Sequence, residues 1–404
     1  MRIAFTTPEY VTESRFDGGL ANYLQKTCQE LSRRGNDIQI FVASTRDKTW
    51  MDGTVKIIEL DQSNNLLTFM SKVVFIRVFV PFLQQLITSR NIAKEVWSEH
   101  YSKKFDLIHT ASYKATGFSL LKNNNIPVVC RVSSYTPSCR MAFGRKATFT
   151  DYLCDWLERK QLIESDACFS PSHLLANLLH KAQICFPKVV RTKIESIDIP
   201  SNIEFYNTHA PKKPYLIFWG TLSRVKGVDL IADVLPSIFL ENPDLSMVFI
   251  GRDDGFPNGT KFVPYIKKQC KGSLERLQFH KPLSKDRLIP FIKNAIAAII
   301  PSRIDNYPNV CIEAQVIGIP VVGTYNSSIE EIVINNRTGF LAENSNPASL
   351  KKAILKCINM TEDERIKMRA NILEHIQDLV KDDSIGHLIA LYKQTINEYQ
   401  NDKK

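Results

Sequence analysis

Short apolar runs alternate with amphipathic helical patterns along the whole chain. The apolar runs are rich in branched side chains, which is typical of parallel strands covered on both faces. In the first half of the chain, strands are predicted at residues 3–6, 38–43, 107–110, 128–132 and 168–170. Helices are predicted between them, among them 20–34 and 148–164.

The same alternation restarts after a segment with little periodicity. Residues 197–214 contain three prolines and predict a linker. Beyond it, strands are predicted at 215–219, 247–250, 277–280, 295–300 and 321–324. Helices are predicted at 228–239 and 384–399. The pattern therefore favours an α/β protein with two doubly wound domains and a cleft between them.

Charge and cysteine usage narrow the class of protein. The 52 Lys and Arg residues outnumber the 42 Asp and Glu residues, so the net charge is +10 and the pI about 9.0. This balance fits a nucleic-acid binder, a protein at an anionic membrane, or a binder of phosphorylated small molecules. No nucleic-acid-binding signature is present, so no nucleic-acid partner is expected.

Nine scattered cysteines without a CxxC pair indicate reduced thiols. The opening MRIAFTTPEY predicts a strand rather than a signal peptide, and we expect a cytoplasmic protein.

Two acidic residues stand out in the segment PSRIDNYPNVCIEAQVIGIPVVGT. Asp305 falls on a predicted loop after a strand. Glu313 falls early on a helix predicted to have Pro308 in its first turn and to stop at Gly318. Open α/β sheets bind ligands at this edge, where carboxylates can accept hydrogen bonds from sugar or ribose hydroxyls. The alternative is that the two acids only complement the helix dipole.

Two glycine-containing loops are further candidates. Gly18 and Gly19, in FDGGLANY, let a backbone approach a ligand at a helix N-terminus; the alternative is a turn that needs positive φ. In FWGTLSRVKGVDLI, a strand ends at Gly220, and Arg224 and Lys226 follow on the loop. This arrangement suits a grip on a diphosphate, although both cations could equally be solvated.

Two residues of the first half are candidates for the acceptor side of a cleft. His109 lies at a predicted strand end, where it would face the cleft, and Arg131 lies on the next predicted strand. A lone histidine is more often structural than catalytic, and Arg131 could be an ordinary surface charge. Both alternatives stay open.

Three segments carry a resemblance to family 4 of the retaining glycosyltransferases, the glycosyl transferases group 1, which have the GT-B fold. They are GGLANYLQKTCQELSRRGNDI, GTLSRVKGVDLI and PSRIDNYPNVCIEAQVIGIPVVGTYNSSIEEIVINNRTGFL. The resemblance implies two Rossmann-like domains facing across a cleft. Residues 1–200 would bind the acceptor and 201–380 the nucleotide-sugar. Residues 381–404 would form a helix that packs back towards the first domain.

The resemblance also assigns roles to residues. Glu313 would hold the ribose, and Asp305 the transferred sugar. Lys226, with Arg224, would hold the diphosphate. The first glycine loop, Gly220 and the backbone at the start of the helix that follows Pro308 would contact the donor. The donor-side backbone positions are Gly18, Gly19, Gly220, Asn309 and Val310.

The chain departs from the family pattern at several of these positions. Asp305 is one methylene shorter than the usual Glu, and Thr221 replaces the usual Arg. The cleft histidine of the family aligns with Ala111 rather than His109. Arg131, with the serines that follow it, stands where other members carry His-Asp. The acceptor pocket is therefore expected to be particular to this chain.

The implied activity is that of a hexosyltransferase that retains anomeric configuration. A sugar would pass from a nucleotide-diphosphate donor, UDP- or GDP-linked, to a hydroxyl of a glycan or lipid-linked glycan in surface polysaccharide assembly. No cofactor and no metal are expected, since no DxD motif is present. The alternatives are a nucleotide-sugar epimerase of the same fold and a non-catalytic subunit of a polysaccharide-assembly complex.

The segment KVVFIRVFVPFL bears on localisation. It is too short and too interrupted to span a bilayer. Its apolar and basic character favours peripheral contact with the inner face of the plasma membrane. The alternative is a buried helix on which Lys72 and Arg77 are merely exposed.

Overall fold

A computed structural model of the protein describes residues 1–12, 18–121, 125–194, 210–211 and 213–403. The chain forms two compact units. The first comprises Met1–Pro137, Lys146–Lys193 and Asp383–Lys404, and the second comprises Ser138–Arg145 and Ile194–Asp382. Most of the predicted linker, 197–214, lies outside the described residues, as do Phe16 and Asp17 of the first glycine loop.

The first unit is built on an eight-stranded sheet with the order β3-β4-β2-β1-β5-β6-β7-β8. Its strands are β1 Arg2–Thr7, β2 Asp37–Ser44, β3 Lys48–Asp52, β4 Val55–Asp61, β5 Leu107–Ala111, β6 Val128–Arg131, β7 Ala167–Ser170 and β8 Lys188–Val189. All pairings are parallel except the β3–β4 hairpin.

The second unit is built on a six-stranded parallel sheet with the order β11-β10-β9-β12-β13-β14. Its strands are β9 Tyr215–Trp219, β10 Ser246–Ile250, β11 Leu277–His280, β12 Ala297–Ile299, β13 Val321–Thr324 and β14 Gly339–Ala342. Every residue of β9, β10, β12 and β13 is buried, which explains why they are apolar except for Ser246 and Thr324 at strand ends.

Thirteen α-helices occur in the described part of the chain. They are α1 Gly19–Arg33, α2 Asn65–Met70, α3 Val80–Ser102, α4 Thr136–Phe143, α5 Phe149–Glu164, α6 His173–Lys181, α7 Val228–Glu241, α8 Phe262–Gln269, α9 Lys285–Lys293, α10 Asn309–Ile317, α11 Pro347–Ile358, α12 Glu362–Lys381 and α13 Ser384–Asn401. Among the described residues, no helix is long and apolar enough to cross a membrane.

Two Rossmann-like parallel-sheet units confirm the predicted α/β fold class. The sequence pattern missed the hairpin β3–β4 because the only apolar residues of its first strand, Trp50 and Met51, are adjacent and flanked by polar residues. It also missed the four-residue edge strand β14. The run predicted as a strand at 295–300 pairs only over Ala297–Ile299. These differences lie at sheet edges and strand ends, where burial on both faces no longer dictates the residue pattern.

Candidate functional site

Two loops of the second unit meet at the carboxyl edge of its sheet. They follow β9 and β12, which are parallel neighbours, so their ends lie side by side. The Arg303 backbone N–H donates to the Val225 carbonyl at 2.8 Å, which ties the loops together. Gly227 is the N-cap of α7 with φ at 70°, and a Cβ there would lie 2.1 Å from the Pro301 carbonyl oxygen. Only glycine allows the loops to approach this closely.

Lys226 and Asp305 face each other across these loops. Lys226 Nζ donates to Asp305 Oδ2 at 2.6 Å, and Ser302 Oγ donates to the same oxygen at 3.1 Å. The other oxygen, Oδ1, accepts from the Asn306 backbone N–H at 3.1 Å. Desolvation lowers the pKa of Lys226, but the Asp305 carboxylate outweighs it, so the pKa is raised above its ordinary value. The pair therefore keeps a cation at the edge of the sheet.

A second charged network supports the same loops. Arg303 donates through both terminal nitrogens to the Asp229 carboxylate, at 2.7 and 2.8 Å. Arg224 Nε lies 3.5 Å from Asp229 Oδ2 and so shares this carboxylate. The Arg303 and Asp229 side chains are nearly buried, whereas 38% of the Arg224 side chain is exposed. Arg303 thus braces the loop, and Arg224 presents its charge at the surface beside Lys226.

Glu313 is anchored by a tryptophan that ends β9. Trp219 Nε1 donates to Glu313 Oε2 at 2.8 Å, and the Trp219 side chain is 4% exposed. Glu313 is the fifth of the nine residues of α10, which begins at Asn309 with Pro308 as its N-cap rather than in its first turn. The predicted stop at Gly318 is confirmed, with φ at 83°. One oxygen of the carboxylate is thereby fixed by the core of the unit.

The backbone candidates of the second unit lie on either side of these carboxylates. Gly220 directly follows β9 with φ at 120°. Asn309 and Val310 are the first two residues of α10. The first N–H groups of a helix have no acceptor within that helix, so this end of α10 can donate to a polar ligand.

The glycine pair of the first unit begins α1. Gly18 is the N-cap with φ at −82°, and Gly19 is the first helical residue. Neither has positive φ, so the alternative of a turn that needs it is wrong. A Cβ at Gly18 would lie 3.2 Å from Glu9 Oε1, whereas no atom of the described residues lies within 4 Å of one at Gly19. Open space beside Gly19 leaves room at the helix N-terminus.

His109 is enclosed in the first unit, and the prediction that it lies at a strand end is wrong. It is the third residue of β5 and is 1% exposed. Its ring stacks on Phe5 at 4.4 Å, and Nδ1 lies 2.6 Å from the Tyr392 hydroxyl. Burial, helped by the charge of Arg131, lowers the pKa of His109 to about 3. Aromatic packing, which strand periodicity does not reveal, makes this histidine part of the core.

Arg131 is also buried. It is the last residue of β6 and is 6% exposed. Its guanidinium carbon lies 3.8 Å from the centre of the Tyr23 ring, and Nη1 donates to Ser133 Oγ at 3.3 Å. Burial lowers the pKa of Arg131. The alternative of an ordinary surface charge is therefore wrong.

Sequence comparisons with known families agree with this architecture. The profile described as Glycosyltransferase Family 4 matches residues 17–191, and the profile described as Glycosyl transferases group 1 matches residues 201–375. The chain belongs to glycosyltransferase family 4. The predicted family is thereby confirmed, and so is the GT-B fold that it implies.

Individual relatives of this family 4 chain are distant. It is 23% identical over 252 residues to D-inositol 3-phosphate glycosyltransferase of Jonesia denitrificans, covering 59% of each protein. Sucrose-phosphate synthase from Thermosynechococcus elongatus has a similar fold, with a TM-score of 0.79 and 16% identity over 98% of this chain and 99% of that one. Anabaena Alr3699/HepE, solved in complex with UDP and glucose, has a TM-score of 0.69 and 16% identity over 97% and 99% of the two chains.

Sequence reasoning missed three residues that organise the site of this family 4 protein. They are Trp219, Asp229 and Arg303. Trp219 could have been noticed as a polar-tipped ring directly before the strand-end glycine, since a buried indole N–H needs an acceptor. Arg303 lies two residues before Asp305, but nothing in the local pattern indicates its partner, which lies 74 residues away along the chain.

Proposed function

We propose that this protein is a retaining glycosyltransferase with a nucleotide-diphosphate sugar as its donor. The observation that carries the proposal is the Lys226–Asp305 pair, beside Glu313, at the carboxyl edge of a doubly wound sheet. A cation suits the diphosphate, and a carboxylate suits the ribose hydroxyls. Anabaena Alr3699/HepE, of similar fold, binds UDP and glucose, which supports a UDP-sugar; a GDP-sugar remains the other candidate.

Each residue of the donor site would have its own role in the reaction. Lys226 and Arg224 would neutralise the charge that develops on the leaving diphosphate. The N-terminus of α10 would add backbone donors, and Glu313 would fix the nucleotide through the ribose. Asp305 would act chiefly by holding Lys226, since its Oδ2 is already engaged by Lys226 and Ser302.

The reaction exchanges one bond at the anomeric carbon for another. The acceptor oxygen bonds to that carbon while its bond to the diphosphate oxygen breaks, and the acceptor proton passes to the departing diphosphate. Family resemblance implies that both events occur on the same face, which retains configuration. Lys226 and Arg224 supply positive charge without a metal, so we expect activity in the presence of a chelator.

The acceptor we propose is a hydroxyl of a glycan or lipid-linked glycan in surface polysaccharide assembly, at the cytoplasmic face of the membrane. Relatives named as glycosyltransferases and synthases of sugar phosphates support transfer rather than epimerisation. The specific polysaccharide role rests on resemblance of the motifs.

A screen of UDP-, GDP- and ADP-sugars tests the proposal. Sugars linked to one of the three nucleotides should release their nucleoside diphosphate slowly by hydrolysis. The release should be faster when an acceptor is present. The Lys226→Ala variant should lose this activity. Lys351→Ala removes a lysine of the same unit that pairs with Glu241 at 2.7 Å, and it should retain activity. If no donor is turned over and none raises the melting temperature, the proposal fails; if the sugar is epimerised without acceptor, the epimerase alternative replaces it.

A further inference from the structure

The first unit exposes an apolar run that carries only positive charge. Between Gln62 and Lys94 the chain contains four Lys or Arg residues and no Asp or Glu. Within this segment Val74 is 59% exposed and Phe75 is 87% exposed, and Ile76, Val78 and Phe79 are also exposed. Single exposed apolar residues are ordinary, but a contiguous group indicates a contact surface.

Helix α5 extends this run into one surface. The Phe79 and Phe149 rings meet edge to face at 5.8 Å, and Thr150 Oγ1 donates to the Val78 carbonyl. Tyr152 and Trp156 lie three and seven positions after Phe149, on the same face of α5, and both are exposed. We define the basic apolar surface by the following residues: Phe69, Lys72, Val74, Phe75, Ile76, Arg77, Val78, Phe79, Lys146, Phe149, Tyr152 and Trp156.

The apolar run contains no acidic residue that could pair with its cations. Lys72 and Arg77 are exposed, and within the described part of the chain no carboxylate lies within ion-pair distance of either. Lys146, at the start of the α5 side, is also exposed. The acid closest along the chain to that start, Asp151, accepts from Thr148 in the capping box of α5. The surface therefore presents cations among exposed aromatic rings.

We propose that the basic apolar surface docks on an anionic lipid bilayer. Aromatic and aliphatic side chains would enter the headgroup region, and Lys72, Arg77 and Lys146 would meet lipid phosphates. A second copy of the chain suits this surface less well, because a symmetric dimer would bring each cation patch against itself. An anionic bilayer matches both the apolar content and the sign of the charge.

This proposal deepens the proposed function, on which it rests for its purpose. A membrane-bound enzyme can reach a lipid-linked acceptor that never leaves the bilayer. The surface lies wholly within the first unit, whereas Lys226, Asp305 and Glu313 belong to the second. Docking can therefore be measured without donor or acceptor.

Co-sedimentation with vesicles tests the docking. The whole protein should bind vesicles of phosphatidylcholine mixed with phosphatidylglycerol, and bind pure phosphatidylcholine far less. Lys72→Gln with Arg77→Gln should lower the partition coefficient about 25-fold, roughly fivefold for each cation removed. Phe75→Ser should lower it by roughly tenfold, because the ring no longer enters the bilayer.

Matched variants of the second unit serve as controls. Lys268→Gln with Lys271→Gln removes two exposed lysines, and Leu240→Ser removes a leucine that is 86% exposed. Both should bind vesicles as the unaltered protein does. The proposal would be overturned if the surface and control variants lost vesicle binding equally. It would also be overturned if the unaltered protein did not bind phosphatidylglycerol vesicles. A dimer in solution that Phe75→Ser converts to a monomer would overturn it as well.

Donor turnover in solution separates the two proposals. The Phe75→Ser variant should release nucleoside diphosphate from a soluble donor at the normal rate. If vesicle binding follows the surface residues but no donor is turned over, the docking stands and the transferase fails. If donors are turned over but vesicles are not bound, the docking fails alone.

Discussion

Lys226 Nζ lies 2.6 Å from Asp305 Oδ2, so Asp305 is a direct partner of the lysine that we propose binds the diphosphate. Ser302 Oγ and the Asn306 backbone N–H also donate hydrogen bonds to the Asp305 carboxylate. A carboxylate engaged in this way orients a cation and keeps it charged. Asp305 is therefore better suited to position Lys226 than to hold the sugar directly.

The first prediction is that Asp305 and Lys226 act as one unit. Lys226→Ala should lower kcat by about 100- to 1000-fold, as expected when a group that stabilises a leaving oxygen is removed. Asp305→Ala should lower kcat less, because the lysine remains but is poorly held. The double variant should be no worse than Lys226→Ala alone, since neighbours that share one interaction are not additive. Steady-state kinetics on all four proteins measure this.

Additive losses would contradict the prediction. They would mean that Asp305 makes its own contact with the donor. In that case Asp305→Ala should also change the preference among donor sugars, a readout that a positioning role leaves unmoved.

The second prediction concerns Trp219 and the ribose. Trp219→Phe keeps the ring but removes the N–H that donates to Glu313 Oε2. A hydrogen bond to a charged group contributes about 1.5–3 kcal/mol, so KM for the donor should rise at least about tenfold while kcat changes little. The variant should also discriminate less against 2′-deoxyribose donors.

Discrimination between ribose and 2′-deoxyribose donors is the decisive readout here. A variant that is only less stable would lose affinity for both donors equally. Unchanged discrimination in Trp219→Phe would show that this indole does not position the carboxylate for the ribose.

Much of the fold could be predicted from the sequence because its signals are local. Buried strands such as β9 and β12 are continuous apolar runs, and Gly318 ends its helix through the φ that the position requires. The partners of the site residues could not be predicted. Trp219 and Glu313 are 94 residues apart along the chain, and Lys226 and Asp305 are 79 apart. Such pairs depend on strand order, which the local pattern does not contain.

The third prediction tests the close approach of the two loops. Gly227→Ala would place a Cβ 2.1 Å from the Pro301 carbonyl oxygen at a φ of 70°. The clash and the left-handed strain should lower the free energy of unfolding by about 3 kcal/mol and raise KM for the donor. No atom of the described residues lies within 4 Å of a Cβ at Gly272, so Gly272→Ala should change the free energy of unfolding by no more than about 0.5 kcal/mol. Thermal unfolding and donor kinetics compare them; equal behaviour would contradict the proposed packing.

The fourth prediction concerns pH and the buried His109. Its folded pKa is about 3, below the ordinary value of 6.5, so the unfolded chain takes up this proton first as the pH falls. The contribution of His109 to the free energy of unfolding should therefore be fully present above pH 6.5. It should decrease as the pH falls below 6.5, by about 2 kcal/mol at pH 5. The melting temperature of the unaltered protein should fall more steeply from pH 7 to 5 than that of His109→Gln.

The exposed His180 provides the control for this pH effect. His180→Gln should keep the steep fall of the unaltered protein, because this exposed substitution leaves the buried His109 in place. If the melting temperature of His109→Gln fell as steeply with pH as that of the unaltered protein, His109 would be accessible to protons in the folded protein.

The surroundings of His109 and Arg131 could not be predicted from the sequence. Both were placed on strands correctly, yet their side chains pack against Phe5 and Tyr23 inside the first unit. Polar residues on strands indicate a site only when the neighbouring helices leave them uncovered. Tyr392 of helix α13 contacts His109 from 283 residues away along the chain, so local patterns could not reveal this cover.

Calorimetric titration with nucleoside diphosphates tests most directly whether the second unit holds a nucleotide-sugar donor. One of UDP, GDP and ADP should bind the unaltered protein, more weakly after Glu313→Gln and far more weakly after Lys226→Ala. Lys351→Ala should bind it normally. If none of the three binds, or if the bound one is indifferent to Lys226 and Glu313, the donor site is not where these residues meet.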